Sequence, residues 1–326
     1  MNHKAKIKKI VETAVKITIV LLGIFVLYKK IFVNQDITEL YNEIKTSFVD
    51  KKQFCLMIFA FLLVSLNIYL ESIKWKLQVK PIEHISNWKS FISIFTGMTA
   101  GMLFPNRTGN FLGRIFMLEK GDRIKAAMVT IVGGFAQMIA TVCTGLLAAP
   151  FFVKKNITLI LIVSIIIITT LILLYFNIYL LKYFHIIIPK KIKDKTKEYF
   201  EVFSLYNKKE LLKILLISFT RYFLYTFQFI LLIWAFDVPL TYFKAMIPIS
   251  LTYLMMMIIP YITIAEIAVR GSVSVIIFEK WFIMNNFCSS YAMMVFSAST
   301  LLWIFNIAIP AIIGLFLTHR LKLFRN

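Results

Sequence analysis

The sequence predicts an all-α fold: a polytopic helical membrane protein built on two inverted repeats, each a helix, a re-entrant hairpin and a second helix. Three observations predict it. The chain of 326 residues is 60% hydrophobic and has a mean hydropathy of +0.80, far outside the range of a soluble domain. Its apolar runs exceed about 18 residues without two-residue alternation, which selects helices over a β-barrel. Two of these runs are broken by a proline and carry charge. The first reads Pro105-Asn106-Arg107-Thr108-Gly109-Asn110-Phe111-Leu112-Gly113-Arg114, and the second Pro260-Tyr261-Ile262-Thr263-Ile264-Ala265-Glu266-Ile267-Ala268-Val269-Arg270-Gly271.

The elements follow in order. Helix one is expected at 11–33. Its basic start, Lys4 to Lys9, resembles a signal peptide, but Lys16 interrupts the run and Tyr28-Lys29-Lys30 follows where a small-residue cleavage site would stand, so it reads as an uncleaved helix. A mixed-charge amphipathic stretch covers 34–53. Helix two spans 54–73 and ends in Glu71-Ser72-Ile73-Lys74-Trp75-Lys76. The first broken segment is 88–118, helices three and four are 125–149 and 157–181, and a basic loop covers 182–212. Helix five spans 213–236, the second broken segment 243–278 and the last helix 289–317, before a tail with Arg320, Lys322 and Arg325. The expected organisation is a single integral membrane domain over 1–326. It comprises an N-terminal helix and amphipathic segment over 1–53, repeat 1 over 54–149, a connecting helix and basic loop over 150–212, and repeat 2 with the tail over 213–326.

The formal charge of +21 invites a nucleic-acid reading. The basic residues instead sit in short loops between apolar runs, where the positive-inside rule and anionic lipids account for them, so no nucleic-acid partner is expected. With each broken segment returning to its own side, most of the 37 Lys and Arg fall on one face: the N-terminus, 74–89, 119–125, 182–213 and the tail. That predicts a cell inner membrane protein with both termini in the cytoplasm. The first hairpin then enters from the cytoplasm and the second from outside. Inverted repeats whose broken helices meet near the midplane are a transporter design.

A charge in hydrocarbon costs at least ~2.5–3.5 kcal/mol on insertion scales, so each cluster needs a partner or a wet cavity. Irregular backbone after each proline frees N–H groups, and the next helix points its positive end at that turn, a setting suited to an anion. Asn110 and Arg114 stand four residues apart on one helical face, as do Glu266 and Arg270. Glu266 either neutralises Arg270 within its hairpin or pairs with Arg114 or Arg107 across the halves; it is also the candidate for protonation coupling. Arg221 in helix five either snorkels to the interface or joins the site. Glu71, Lys74 and Trp75 form an interfacial anchor, or Asn67 and Glu71 reach the first hairpin. The candidate substrate-binding residues are thus Arg107, Asn110, Arg114, Glu266, Arg270, Arg221 and Glu71. Gly97, Gly101, Gly109 and Gly113, spaced by four, are explained by close helix packing.

Cys55, Cys143 and Cys288 are far apart inside apolar runs, with no metal spacing. His3, His84, His185 and His319 pair with no Ser or Cys as a nucleophile and base. No cofactor, metal or catalytic residue is expected.

The pattern Pro105-x3-Gly109-Asn110-x3-Arg114, with Leu118, resembles the first signature of the lysylphosphatidylglycerol synthase transmembrane-region family, also called flippase-like. Glu71-x2-Lys74-Trp75 before it and Pro260-x5-Glu266-x3-Arg270 after it fit the same layout. The family usually has an acid where Asn110 stands and glycines where 261–265 stand. The resemblance implies an integral membrane domain that, in the multiple peptide resistance factors, translocates aminoacylated phosphatidylglycerol. Those proteins add a soluble aminoacyltransferase domain; here the resemblance implies a stand-alone flippase-like domain and no enzyme. Two functions are expected for the chain: translocation of an anionic phospholipid or lipid-linked headgroup, or an accessory or enzymatic role in membrane glycolipid or cell-envelope synthesis, with 182–212 docking a biosynthetic enzyme.

Overall fold

The computed structural model describes residues 49–104, 107–119, 122–153, 156–187, 197–261 and 266–318, and every regular element among them is helical. The predicted first helix, most of the amphipathic stretch, Pro105, Asn106, the turn 262–265, the middle of the basic loop and the tail lie outside the described residues. The helices are α1 (Lys51–Val79), α2 (Asn87–Leu103), α3 (Gly109–Ile115), α4 (Arg123–Val153), α5 (Ile157–Phe176), α6 (Lys208–Ala235), α7 (Tyr242–Ile258), α8 (Glu266–Met284), α9 (Tyr291–Trp303) and α10 (Ile309–Thr318). Short 3-10 stretches cover Ile178–Ile187 and Val202–Leu205, and a π turn covers Ile304–Ala308. Among the described residues five stretches are long and apolar enough to cross a membrane: Lys51–Val79, Arg123–Val153, Ile157–Phe176, Lys208–Ala235 and Tyr291–Leu317.

Several helices start earlier than the apolar runs because polar caps add turns. Asp50 Oδ1 accepts the N–H groups of Lys52 and Gln53 at 2.8 and 3.1 Å at the start of α1. Ser86 caps α2 through the N–H of Lys89 at 3.1 Å. Asp122 caps α4 through Ile124 at 2.7 Å. Asn207 and Glu210 cap each other's N–H groups at 2.8 and 3.3 Å, a capping box that opens α6 ahead of the predicted residue 213. Pro260 ends α7: the residue before it, Ile259, is extended, as a proline demands.

The described chain forms two compact units. The first holds residues 49–62, 104 and 226–306; the second holds 63–103, 107–225 and 307–318. In the first, α7 packs on α8 and α8 on α9. Phe229, Phe278 and Phe282 are fully buried there, with ring centroids 6.2 and 5.9 Å apart along the row. Gly271 of α8 has no room for a side chain because the Phe296 ring lies over it.

In the second unit α2 lies against both α3 and α10, and α4 against α3 and α5. Ala126, Val129, Val132, Ala136, Ile139 and Ala140 bury one face of α4. Tyr175 donates to the Leu211 carbonyl at 2.9 Å. Tyr206 donates to the Gln78 carbonyl, and burial pushes its phenol well above the ordinary range, so it stays a donor. Only Ser164 and Tyr175 of α5 are buried, which leaves an apolar helix with lipid as its solvent. The two ends of the first broken segment meet: Lys89 pairs with Glu119 at 3.2 Å and with Glu83 at 2.9 Å, and the Glu119 N–H donates to Glu83 at 3.3 Å.

Candidate functional site

In the second unit α1 turns one polar edge inward. Asn67, Glu71, Lys74 and Gln78 recur at helical spacing and are each at least nine-tenths buried. Glu71 is the hub. Its Oε1 accepts from Arg114 Nη1 of α3 at 2.6 Å. Its Oε2 faces Lys74 Nζ at 2.9 Å and accepts from Arg221 Nη1 of α6. One carboxylate therefore meets three cations. Arg221 is aimed by a second bond, Nε to Asn67 Oδ1 at 2.9 Å. Gln137 of α4 closes the network, accepting from Arg221 at 3.4 Å and Lys74 at 3.5 Å.

Two close approaches fix Arg114. Its guanidinium stands 6.0 Å from the centre of the Trp75 ring, a cation–π distance. Its stem lies on α2: a Cβ on Gly97 would come within 3.0 Å of Arg114 Cγ and 2.5 Å of the Asn110 carbonyl. Asn110 itself fills the space that a side chain at Gly101 would need, and Gly113 faces the Thr96 carbonyl. Gly97, Gly101 and Gly113 of the predicted glycine spacing thus line the contact of α2 with α3, and they set where Arg114 points. Arg107, at φ 55°, holds the left-handed turn that leads into α3.

Exposure is graded across the cluster. The side chains of Glu71 and Lys74 keep 7% and 4% of their surface open, those of Arg114 and Arg221 13% and 19%. The arginines are the more open members of the cluster. Among the described residues donors also outnumber acceptors: there Arg114 Nε and Trp75 Nε1 are buried and meet no acceptor.

The interfacial anchor expected at 71–75 is therefore corrected. Trp75 has no exposed surface, and α1 continues to Val79 through packed surroundings. The other reading of that segment holds for Glu71, which reaches Arg114 of the first hairpin, while Asn67 meets Arg221 of α6. Gln137 was missed; its signal was an amide inside the apolar run 125–149.

The first unit holds the other two candidates. Arg270 Nη2 donates to Glu266 Oε1 at 2.8 Å, one turn apart on α8, and Glu266 is fully buried. This is the pairing within the hairpin, one of the two alternatives open in the sequence. Among the described residues no group of three His, Cys, Asp or Glu side chains could hold a metal ion.

Neither the curated proteins nor the solved structures contain a significant match to the chain. A family model does match: the lysylphosphatidylglycerol synthase TM region, over residues 13–314. The signatures at 71–75, 105–114 and 260–270 lie inside that match, and its length fits the spanning helices of a multi-pass membrane protein tied to lipid and cell-envelope synthesis. The chain belongs to the lysylphosphatidylglycerol synthase transmembrane-region family.

Proposed function

We propose that this protein is a flippase-like translocator that binds an anionic phospholipid or lipid-linked headgroup and passes it between leaflets, without chemistry of its own. The observation that carries the reading is the buried surplus of positive charge around Glu71, with Arg114 and Arg221 at its open edge. Ionisable groups inside a helical bundle mark substrate paths. The hairpin geometry supports a re-entrant first segment. Its ends are joined by Lys89, Glu83 and Glu119, and α3, with 7 residues, is about 10 Å long against a hydrocarbon core of about 30 Å. The proline-broken segments 88–118 and 243–278 carry one charged cluster each, which supports the inverted-repeat organisation.

Ion pairs also support the orientation. Lys80 meets Glu210 at 2.9 Å and Lys125 meets Glu198 at 2.5 Å. These link segments 74–89, 119–125 and 182–213, the loops that the charge asymmetry places together in the cytoplasm with both termini.

The test is a reconstituted vesicle assay in which dithionite quenches acyl-labelled fluorescent lipids as they reach the outer leaflet. Wild type is expected to exchange the anionic lipids faster than empty vesicles, and Arg114→Ala and Arg221→Ala to lose at least tenfold of that gain. Rates equal to wild type in both variants would reject the proposal. In cells, deletion is expected to alter leaflet distribution with a normal lipid inventory; a missing lipid species would instead favour a biosynthetic role.

A further inference from the structure

We propose that the Glu71 cluster selects a lipid-borne phosphate monoester in its dianionic form over phosphodiester, zwitterionic and cationic headgroups. The proposal rests on the reading of this protein as a headgroup binder, but its claim concerns charge and stands apart from movement between leaflets.

Charge comes first. Among the described residues, Glu71 is the one carboxylate in contact with Arg114, Arg221 and Lys74, so two positive charges remain uncompensated in a site that is largely closed to water. A phosphate monoester carries about −1.5 to −2 at pH 7 and matches that surplus, whereas a diester supplies −1 and a choline or ethanolamine lipid none. Hydrogen bonding points the same way. Both Glu71 oxygens already accept from cations. An ammonium on an aminoacylated headgroup would find no free carboxylate and would face three like charges. The spare capacity is all donors, and a phosphate is an acceptor with three oxygens.

The arginines are also preset for such a ligand. Arg221 is aimed through Nε by Asn67, and Arg114 by its stem on Gly97 and by the Trp75 ring. Planar guanidinium groups held from behind lose little freedom when a phosphate docks on their open edge. Lys74 is sealed behind them. It supplies charge to the site rather than contact.

The experiment measures binding of dihexanoyl phosphatidic acid, phosphatidylglycerol, phosphatidylcholine and lysyl-phosphatidylglycerol to the full chain in neutral detergent, read by tryptophan fluorescence. Phosphatidic acid is expected to bind at least tenfold tighter than phosphatidylglycerol, with phosphatidylcholine weaker and the lysyl ester weakest. Lys74→Gln is expected to shrink the tenfold preference to about threefold or less while leaving phosphatidylcholine unchanged. Lowering the pH from 8 to 5 in wild type should weaken phosphatidic acid, which protonates near pH 6, and leave phosphatidylglycerol in place; this series decides the matter if the Lys74 variant does not fold. Equal affinities, or tightest binding of the lysyl ester, would overturn the proposal. Inorganic phosphate displacing the lipid at equal concentration would overturn its lipid-borne aspect. Charge-ordered binding without exchange in vesicles would reject translocation and uphold this site; exchange without charge order would do the reverse.

Discussion

Glu71 is the residue on which the second unit's polar interior depends. It is sealed from solvent, and three cations from α1, α3 and α6 converge on its two oxygens. Removing one partner of a buried pair typically costs about 3–5 kcal/mol because it strands a charge. Glu71→Gln strands three. It is expected to lower the melting temperature of the detergent-purified protein sharply, whereas Lys74→Met, which removes a cation from a surplus, should change it little. Equal shifts in the two variants would show that Glu71 is no hub. Arg114 and Arg221 were legible as candidates because a guanidinium inside an apolar run has few homes. Lys74 and Trp75 were misread because they stand where the apolar run fades, and composition alone cannot distinguish a fading run from a packed helix face. Its packed neighbours, α4 with its small buried residues and Gln137 together with Arg114 and Arg221, show that α1 is still inside the protein there.

Helix boundaries and hairpin packing belong to the next scale. The apolar runs located the described helices, but not all their starts, since hydropathy does not register polar caps. Asn207 and Glu210 lie in a basic loop, yet their reciprocal hydrogen bonds open α6 there. The glycines were read correctly as packing residues, and their surroundings now differ in a testable way. A Cβ on Gly113 would sit 2.5 Å from the Thr96 carbonyl oxygen and 2.8 Å from Gly97 Cα, both backbone atoms that cannot turn aside. A Cβ on Gly134 in α4 would meet nothing within 4 Å. Gly113→Ala is therefore expected to cost about 1–3 kcal/mol, as overpacking does, and to weaken lipid binding by displacing Arg114. Gly134→Ala should gain up to about 1 kcal/mol from helix propensity. Thermal unfolding of the two variants checks both signs, and a stabilised Gly113→Ala would contradict the close hairpin contact.

At the scale of the whole molecule, the fold class was legible because lipid leaves the backbone few choices: buried N–H and C=O groups must pair within helices. The sense of insertion rests on charge, and the ion pairs that join three basic segments sharpen it into a prediction. On the proposed orientation, with 74–89 in the cytoplasm, the link between α8 and α9 is expected outside; it carries Cys288, which is exposed. Hydrogen bonding from Ser290 holds that thiol below its ordinary range. A lowered value means that the thiolate, the form that reacts, is present at lower pH and is lost only on further acidification. In a Cys55→Ala, Cys143→Ala background, a membrane-impermeant maleimide added to intact cells is expected to label Cys288, and to do so at a lower pH than an ordinary surface cysteine. His84→Cys, at an exposed position in the loop between α1 and α2, should stay unlabelled until the cells are permeabilised. Labelling of His84→Cys in intact cells, with Cys288 protected, would invert the topology.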